Sequence, residues 1–255
     1  MHGLGGKDTV FKHLENDELL NKYVIDYIST NSVEDTQSCI DFIDKYHNVI
    51  IKITFGTQGI DIVHVKKCTH EYNITDDTSE YTVSHNDLIE MINKIFCNKR
   101  YIVQQYIHSK TSTGMPFDIR LHVCRGRNAR WRIARIYVRI GVNKKVTSNI
   151  AYGGGICDTL SFLKAHFKSV DISNSIYNRL IELGNILPDR LQSNYASNIM
   201  FSAFGIDVGL DTEGKIYIFE VNTGPGSKFL FIEHARYLAE FAVYLAHKKG
   251  ASGSL

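Results

Sequence analysis

The sequence is poor in proline, with three among 255 residues, and it has no apolar run long enough to span a bilayer. It also lacks internal repeats and low-complexity tracts. Its N-terminus is polar and glycine-rich, without the apolar segment of a signal peptide. These absences favour a cytoplasmic globular protein with no membrane partner, and the length suffices for one domain or two.

Cysteine is scarce as well, and the five residues present are widely spaced: Cys39, Cys68, Cys97, Cys124 and Cys157. No pair has the sequence spacing of a metal site, so we expect reduced thiols. The formal net charge of +2 is too small to indicate nucleic acid by itself. We therefore expect no nucleic-acid partner.

The most informative stretch runs from residue 204 to 226 and predicts two strands joined by Asp-Thr-Glu-Gly. Strand alternation predicts one face with Ile216, Ile218, Glu220 and Asn222, and an opposite face with Tyr217, Phe219 and Val221. Asp207 lies thirteen positions before Glu220 and shares its face if the loop holds an even number of residues. Two carboxylates and an amide oxygen suit Mg²⁺, so Asp207, Glu220 and Asn222 are the candidate metal ligands.

An ordinary hairpin with its polar residues facing water is the competing interpretation of this stretch. Asp-x-Gly-x-Asp or Glu-x-Asn alone would favour that interpretation. The two motifs occur together here, and Thr-Gly-Pro-Gly follows them. The combination favours a metal site.

This stretch resembles the metal-binding end of the ATP-grasp family, and its neighbours resemble the spore-coat-associated, YheC/YheD-like branch. The resemblance runs from about Lys12 to the last helix and implies an α+β fold with two subdomains that grip ATP. It implies an N-terminal subdomain at 1–105 with a lid at 49–65, a C-terminal subdomain at 106–249 with the metal-binding hairpin, and a disordered tail at 250–255. Many family members carry a preceding α/β domain. We expect this chain to lack it, so that a partner chain could take its place.

Lys52 lies inside the aliphatic strand Val49–Thr54, where a cation needs an anionic partner. Gly56 and Gly59 follow, and glycines let backbone amides approach phosphate oxygens. A tight turn is the more frequent meaning of Gly-x-x-Gly. The resemblance implies that Lys52 binds phosphate and that the glycines form part of the lid.

A lysine near the first helix, predicted at Leu14–Ile28, often reaches the nucleotide in this family. The resemblance assigns this role to Lys12, with Lys7 as a competing candidate. A solvated lysine is an equally good interpretation of either.

The strand Tyr101–Ile107 corresponds to the family's adenine-binding segment, in which backbone groups and one polar side chain hold the base. The resemblance therefore places four residues against the nucleotide: Gln104, Gln105, Tyr106 and Ile107. Two glutamines on a strand mean little without it.

Arginines mark the next segments, in the order found in the YheC/YheD-like branch: Phe-Asp-x-Arg at 117–120, a Trp-Arg strand from residue 131, Arg-x-Gly at 139–141, Ser-Asn at 148–149 and Gly-Gly-Gly at 153–155. A solvated basic face and a nucleic-acid surface are the alternatives, and the near-neutral chain disfavours the second. The resemblance implies that Arg120 and Arg139 meet phosphate or a carboxylate. It also places Asp118 and Asn149 at the nucleotide.

Further helices are predicted at Ser32–Tyr46, Thr82–Phe96, Cys157–Phe167, Ser173–Leu187 and Leu230–His247. Pro188 predicts the end of the fourth of these helices. A strand is also expected at Lys145–Ile150.

The resemblance implies an ADP-forming ligase for C–N bonds, which joins a small-molecule or peptide carboxylate to an amine through an acyl phosphate. ATP and one or two Mg²⁺ ions would be its cofactors, with Mn²⁺ as an alternative metal. Lys52, Arg120 and Arg139 would be catalytic through positioning and charge neutralisation. A phosphotransferase and a non-catalytic nucleotide-binding coat protein are the competing hypotheses.

Overall fold

The computed structural model describes residues 3–55, 62–76, 79–97, 99–141, 154–196 and 198–252, with side chains as far as Lys248. The helices are α1 (Lys7–Glu15), α2 (Thr36–Tyr46), α3 (His85–Phe96), α4 (Thr159–Phe167), α5 (Val170–Gln192) and α6 (Phe231–Ser252). Short 3₁₀ helices occur at Asn21–Tyr23, Val33–Asp35 and Arg127–Ala129. In the described part of the chain, no helix is long and apolar enough to cross a membrane.

The described strands form two antiparallel sheets. The first sheet has the order β1-β6-β2-β3-β4-β5, with β1 (Tyr27–Thr30), β2 (Asn48–Ile53), β3 (Ile62–Lys67), β4 (Tyr72–Thr75), β5 (Glu80–Val83) and β6 (Tyr101–Gln105). The second sheet has the order β11-β10-β7-β8-β9, with β7 (Phe117–Arg125), β8 (Trp131–Ile140), β9 (Gly155–Asp158), β10 (Ala203–Leu210) and β11 (Ile216–Asn222). The first sheet packs α2 and α3 against one face. The second sheet packs α4 and α5 against one face and meets α6 on the other, where His234 contacts His122 and Cys124, and the result is an α+β architecture with two lobes.

The first lobe buries the apolar stripes of α2 and α3 against its sheet. Ile40 and Ile43 from α2 and Leu88 and Ile92 from α3 lie in one core with Val103 of β6. Ser84 caps α3 because its Oγ accepts a hydrogen bond from the Asp87 amide at 3.3 Å. Lys52 and Gln104 alternate along their strands with these core residues, so both lie on the opposite face of the sheet.

The second lobe is built on α5, which lies across its sheet with one buried stripe: Ile176, Leu180, Leu183, Leu187 and Leu191. The helix lies close to the sheet at Gly184, where a Cβ atom would lie 2.9 Å from Ile133 Cδ1. Leu4, Val10 and Leu14 from the start of the chain join this second core. The predicted boundary at residue 105 falls between β6 and β7, and the subdomain limits stay a prediction.

The predicted helix Leu14–Ile28 is wrong. Its residues end α1, form a 3₁₀ turn and begin β1. Asp17 stops helical continuation because its Oδ1 accepts hydrogen bonds from the Leu19 and Leu20 amides at 2.9 and 3.1 Å. The strand Tyr27–Thr30 then forms because β6 supplies an antiparallel partner.

Pro188 does not end α5, which continues to Gln192. The last turn places Leu191 in the core and pairs Arg190 with Asp17 at 2.5 Å, and these contacts offset the hydrogen bond that proline removes. The predicted strand at 145–150 and the predicted residues Gly56, Gly59 and Asn149 lie outside the described residues. Residues 250–252 belong to α6, and 253–255 also lie outside the described part.

Candidate active site between the two sheets

The β10–β11 hairpin places the predicted metal ligands on one face. Asp207 lies directly opposite Glu220, and Gly205 lies opposite Asn222. Gly205 is required here because a Cβ atom would lie 2.7 Å from Pro225 and 2.9 Å from Arg120 Nη1. The two carboxylates and the amide therefore face the same side of the second sheet.

A register shift in this hairpin corrects the predicted alternation along β11. Val208 pairs with Ile218, so Phe219 is an extra residue between the pairs on either side. Ile216 and Ile218 consequently join Val221 in the core rather than sharing a face with Glu220. The bulge turns an apolar strand into one that also presents a carboxylate to the cleft.

Asp207 is the centre of a buried ionic network. Arg120, directly opposite on β7, donates to both oxygens of Asp207, with Nη2 at 2.8 Å from Oδ2. Arg139 on β8 donates from Nη2 to Oδ1 at 2.9 Å. Burial alone would raise the pKa of Asp207, but Arg139 and Arg120 outweigh it and hold that pKa below its ordinary value.

Asp118 completes the network from the next position on the same face of β7. Its Oδ1 accepts a hydrogen bond from Arg139 Nε at 2.6 Å. Burial by itself would lower the pKa of Arg139. Asp207 and Asp118 have the larger, opposite effect, so the pKa is raised above its ordinary value. Arg139 is therefore held between two carboxylates in a fixed orientation.

Glu220 meets a cation from the start of the chain. Lys7 Nζ lies 3.3 Å from Glu220 Oε1. The Lys7 amide also donates to the Thr54 carbonyl at 3.1 Å, which ties α1 to the end of β2. Lys12, the first candidate for a nucleotide lysine, is exposed on α1, so the structure brings Lys7 to the site and leaves Lys12 in solvent.

Lys52 reaches this site from the first sheet. Its Nζ donates to the Phe219 carbonyl of β11 at 3.2 Å. Burial lowers the pKa of Lys52 to about 8, with Glu220 opposing this shift and Lys7 adding to it. The cation thus lies beside Glu220 and Asp207, between the two lobes.

The predicted adenine segment contains a buried amide without a partner. Gln104 is 1% exposed, and neither Oε1 nor Nε2 has a hydrogen-bond partner among the described residues. It points away from the core formed by Val103. The backbone amides of Gln105 and Tyr106 already donate within the fold, to Asp26 and Asn48 at 3.0 and 2.9 Å.

Tyr106 and Ile107 continue this segment beyond β6. The Tyr106 ring packs on His64 with centroids 4.7 Å apart, and burial raises the pKa of its phenol to about 12. Ile107 is buried, and its carbonyl accepts from the Ser109 amide at 2.8 Å. Gln104 is therefore the member of the segment with the clearest capacity for a new hydrogen bond.

The positive and negative charges of the site nearly cancel. Lys7, Lys52, Arg120 and Arg139 supply four positive charges, and Asp118, Asp207 and Glu220 supply three negative charges. The site can therefore accept polyphosphate and a divalent cation together without a large excess of either sign. The sequence offered no signal for the Phe219 bulge that brings a backbone carbonyl to Lys52.

Comparison with known proteins identifies the family. Residues 2–245 match the model described as YheC/D-like ATP-grasp. Two curated relatives from Bacillus subtilis (strain 168) are endospore coat-associated proteins. YheC is 25% identical over 232 residues, which are 89% of this chain and 61% of that protein. YheD is 22% identical over 227 residues, which are 82% of this chain and 49% of that protein.

Solved structures share the fold. The ADP complex of purK, N5-carboxyaminoimidazole ribonucleotide synthetase, has a TM-score of 0.56 at 12% identity, over 92% of this chain and 50% of that chain. D-cycloserine synthetase DcsG has a TM-score of 0.57 at 13% identity, over 92% of this chain and 69% of that chain. The chain spans about three fifths and half of the two curated relatives, with 61% and 49% of their lengths covered. The chain has the ATP-grasp fold that its motifs predict, and it belongs to the YheC/D-like ATP-grasp family.

Proposed function

We propose that this chain is an ATP-dependent carboxylate–amine ligase that forms an amide or peptide bond through an acyl phosphate. The observation that carries the proposal is the convergence of both lobes on one ionic cluster. Lys52 of the first sheet lies 3.2 Å from the Phe219 carbonyl of the second, beside the Asp207–Glu220 pair. A nucleotide bound there would contact both sheets.

Asp207, Glu220 and Asn222 would hold one or two Mg²⁺ ions. Carboxylate and amide oxygens are the hard ligands that this ion prefers, and Mn²⁺ would accept the same set. Asp207 already accepts from two arginines, so these would move toward phosphate oxygens as the carboxylate turns to the metal. When bound, the metal would neutralise charge on the phosphates.

Lys52 and Lys7 would bind the nucleotide phosphates. Both are cationic groups near Glu220, and a fully ionised triphosphate carries more negative charge than the three carboxylates beside it. Gly56 and Gly59 remain the proposed lid, and Lys12 becomes the weaker candidate because it is exposed. Asn149 stays a proposed nucleotide contact.

Gln104 would read the adenine amino group. Its buried amide offers one acceptor and two donor hydrogens, and the unpaired state costs free energy that a hydrogen-bonding ligand would remove. Gln105, Tyr106 and Ile107 would shape the rest of the pocket.

Arg120 and Arg139 would steady the transferred phosphoryl group. Arg120 donates two parallel hydrogen bonds to Asp207, and Arg139 donates one to Asp118 and one to Asp207, so both guanidiniums are held in place before substrate binds. A substrate carboxylate would attack the γ-phosphorus, ADP would leave, and an amine would then displace phosphate from the acyl carbon. The protein supplies orientation and charge rather than a nucleophile.

ADP release in the presence of Mg²⁺ and pools of acids and amines tests the proposal, with mass spectrometry of the products. The active acid is then labelled with ¹⁸O in its carboxylate. A ligase of this kind transfers one labelled oxygen to the released phosphate, whereas a phosphotransferase leaves a stable phosphorylated product. ADP release that needs no carboxylate would overturn the ligase assignment.

The Glu220→Gln variant tests the site itself. We expect ADP formation to fall by about a hundredfold or more, with the fold unchanged by circular dichroism, because the metal loses a charged ligand. Glu213→Gln is the matched control, since Glu213 is exposed on the loop of the same hairpin. Full turnover by Glu220→Gln would refute the metal role.

A non-catalytic nucleotide-binding coat protein is the second candidate, and the names of the two curated relatives favour it. ATP binding without turnover, with native partners and all acid and amine pools present, would support this candidate against the ligase.

A further inference from the structure

Three soft or borderline ligands meet outside the proposed ATP site. His122 and Cys124 lie on one face of β7, and His234 lies in the first turn of α6. His122 Nε2 is 2.8 Å from His234 Nδ1, and Cys124 Sγ is 3.5 Å from the same nitrogen. All three ligand atoms lie within 4.8 Å of one another.

The two separations that involve His234 can be compared with those of a tetrahedral zinc site. Zn–N bonds of about 2.05 Å and Zn–S bonds of about 2.3 Å imply N···N near 3.3 Å and N···S near 3.6 Å. The Cys124–His234 distance of 3.5 Å already fits. The two imidazole nitrogens, 2.8 Å apart, would need to separate by roughly half an ångström to bind one ion.

The ligand types also suit a metal of the zinc class. Such an ion binds neutral imidazole and thiolate, so an ion that enters between these three side chains would displace the thiol proton of Cys124.

The geometry selects which ring nitrogen of His122 would bind. Its Nε2 faces His234 and Cys124, so Nε2 is the atom available to an ion there. The side chain is fully buried, and its Nδ1 has no hydrogen-bond partner among the described residues. An ion bound at Nε2 would leave Nδ1 as it is, so the proposal depends on the convergence of the three ligand atoms.

A Cys–His nucleophile would have the opposite properties. Reactive cysteines are partly exposed and have a lowered pKa, usually because a cation or a helix N-terminus lies nearby. Cys124 is 0% exposed, and its pKa is raised. Burial accounts for the raised pKa, and the two properties together argue against a nucleophilic role for Cys124.

The position of His234 suggests what an ion would do. Within residues 231–248, whose side chains the structure describes, only Phe241 is buried, whereas Phe231 and Ile232 are 70% and 78% exposed. Leu230, directly before α6, is 1% exposed and Phe241 is buried farther along, but the first turn, residues 231–234, buries no apolar side chain of its own. The start of α6 is joined by the segment 223–230 to the strand that carries Glu220.

We propose that His122, Cys124 and His234 bind a divalent ion of the zinc class and that this ion fastens the start of α6 to β7. Thiolate and imidazole ligands select such an ion over Mg²⁺, so the site is chemically distinct from the oxygen ligands of the ATP site.

Metal content of the full-length, tag-free protein tests the binding. After chelation and dialysis against Zn²⁺ in excess Mg²⁺, the wild type should retain one ion per chain. Cys124→Ser and His234→Ala should bind at least about tenfold more weakly. Cys157→Ser and His166→Ala are matched controls that should bind as the wild type does. Equal retention by all variants, or no retention by the wild type, would overturn the proposal.

Cobalt serves as a spectroscopic probe of the ligands. Co²⁺ should give a thiolate charge-transfer band in the wild type and in Cys157→Ser, and the band should vanish in Cys124→Ser. A band that persists in Cys124→Ser would place the ion elsewhere.

Amide hydrogen exchange tests the fastening of α6. Zn²⁺ should slow exchange in the first turns of α6 in the wild type and leave it unchanged in His234→Ala. His234 is only half-buried, so this variant should keep its fold. An ion that binds without changing exchange in α6 would refute the structural role.

Discussion

Asp207 shows how much of the candidate site depends on single residues. It lies opposite Glu220 on one side and opposite Arg120 on the other, so one carboxylate joins three strands. The separation of thirteen residues predicted a shared face for Asp207 and Glu220 only if the loop held an even number of residues. The loop 211–215 holds five, and the bulge at Phe219 is what brings Glu220 opposite Asp207. The partners of Asp207 were not predictable in this way, because β7 and β8 lie some seventy to ninety residues earlier.

Lys52 gives the site a dependence on pH. Its pKa of about 8 means that Lys52 is cationic below pH 8 and loses its charge above it. We therefore expect the Kd for ATP to rise between pH 7 and pH 9, measured by calorimetry. Lys52→Arg keeps its charge over this range and should show no such rise. An identical pH profile in both proteins would contradict the phosphate role of Lys52.

Removing the cation should weaken binding at any pH below 8. Lys52→Ala should raise the Kd for ATP about tenfold to a hundredfold, as expected for loss of a charge-assisted hydrogen bond. Lys12→Ala is the matched control, since Lys12 is exposed on α1 and should leave the Kd unchanged. The reverse ranking of the two variants would assign the nucleotide lysine to Lys12.

At the scale of elements, β11 shows where simple alternation fails. The pattern of aliphatic residues predicted a strand at 216–222 and its length, but the bulge at Phe219 changed which residues share a face. A bulge depends on the partner strand and on local packing, so periodicity along one strand does not contain it. The continuation of α5 beyond Pro188 was also not predictable from local sequence, because the tertiary contacts of Leu191 override a local helix breaker.

Gly209 supports this bulge and offers a test of it. A Cβ atom at this position would overlap the ring of Phe219. We expect Gly209→Ala to lower the free energy of unfolding by about 1–3 kcal/mol, measured by urea denaturation, because the ring must leave its position.

Two comparisons make this test specific. Gly155→Ala should change stability by less than about 0.5 kcal/mol, because nothing lies within 4 Å of a Cβ atom at that position. Phe219→Ala should remove most of the effect of Gly209→Ala in the double variant. If Gly209→Ala lowered the free energy of unfolding equally in the wild type and in Phe219→Ala, Phe219 would not pack on Gly209.

At the scale of the whole molecule, the motifs in their order along the chain predicted the fold, and the comparisons confirm the family. The packing of residues 4–23 into the second core was not predicted, because the helix expected there was placed at the wrong residues. This packing has a consequence for the site, since it brings Lys7 to Glu220. The lobes are therefore connected by the start of the chain as well as by Lys52.

A ligand held by both lobes should stabilise them together. Mg-ATP at about a hundred times its Kd should raise the free energy of unfolding by about 2.7 kcal/mol, seen as an increase in Tm. Mg²⁺ alone should give a much smaller increase. Separate transitions for the two sheets, with only one shifted by Mg-ATP, would contradict binding between the lobes.

The central claim is that a divalent ion at Asp207, Glu220 and Asn222 binds together with ATP in the cleft. Titration of a non-hydrolysable ATP analogue with and without Mg²⁺ tests it most directly, because no acid or amine substrate is required. Mg²⁺ should strengthen binding to the wild type and to Glu213→Gln, and this gain should be lost in Glu220→Gln while metal-free binding persists. An equal gain from Mg²⁺ in Glu220→Gln, or no binding by the wild type, would contradict the account.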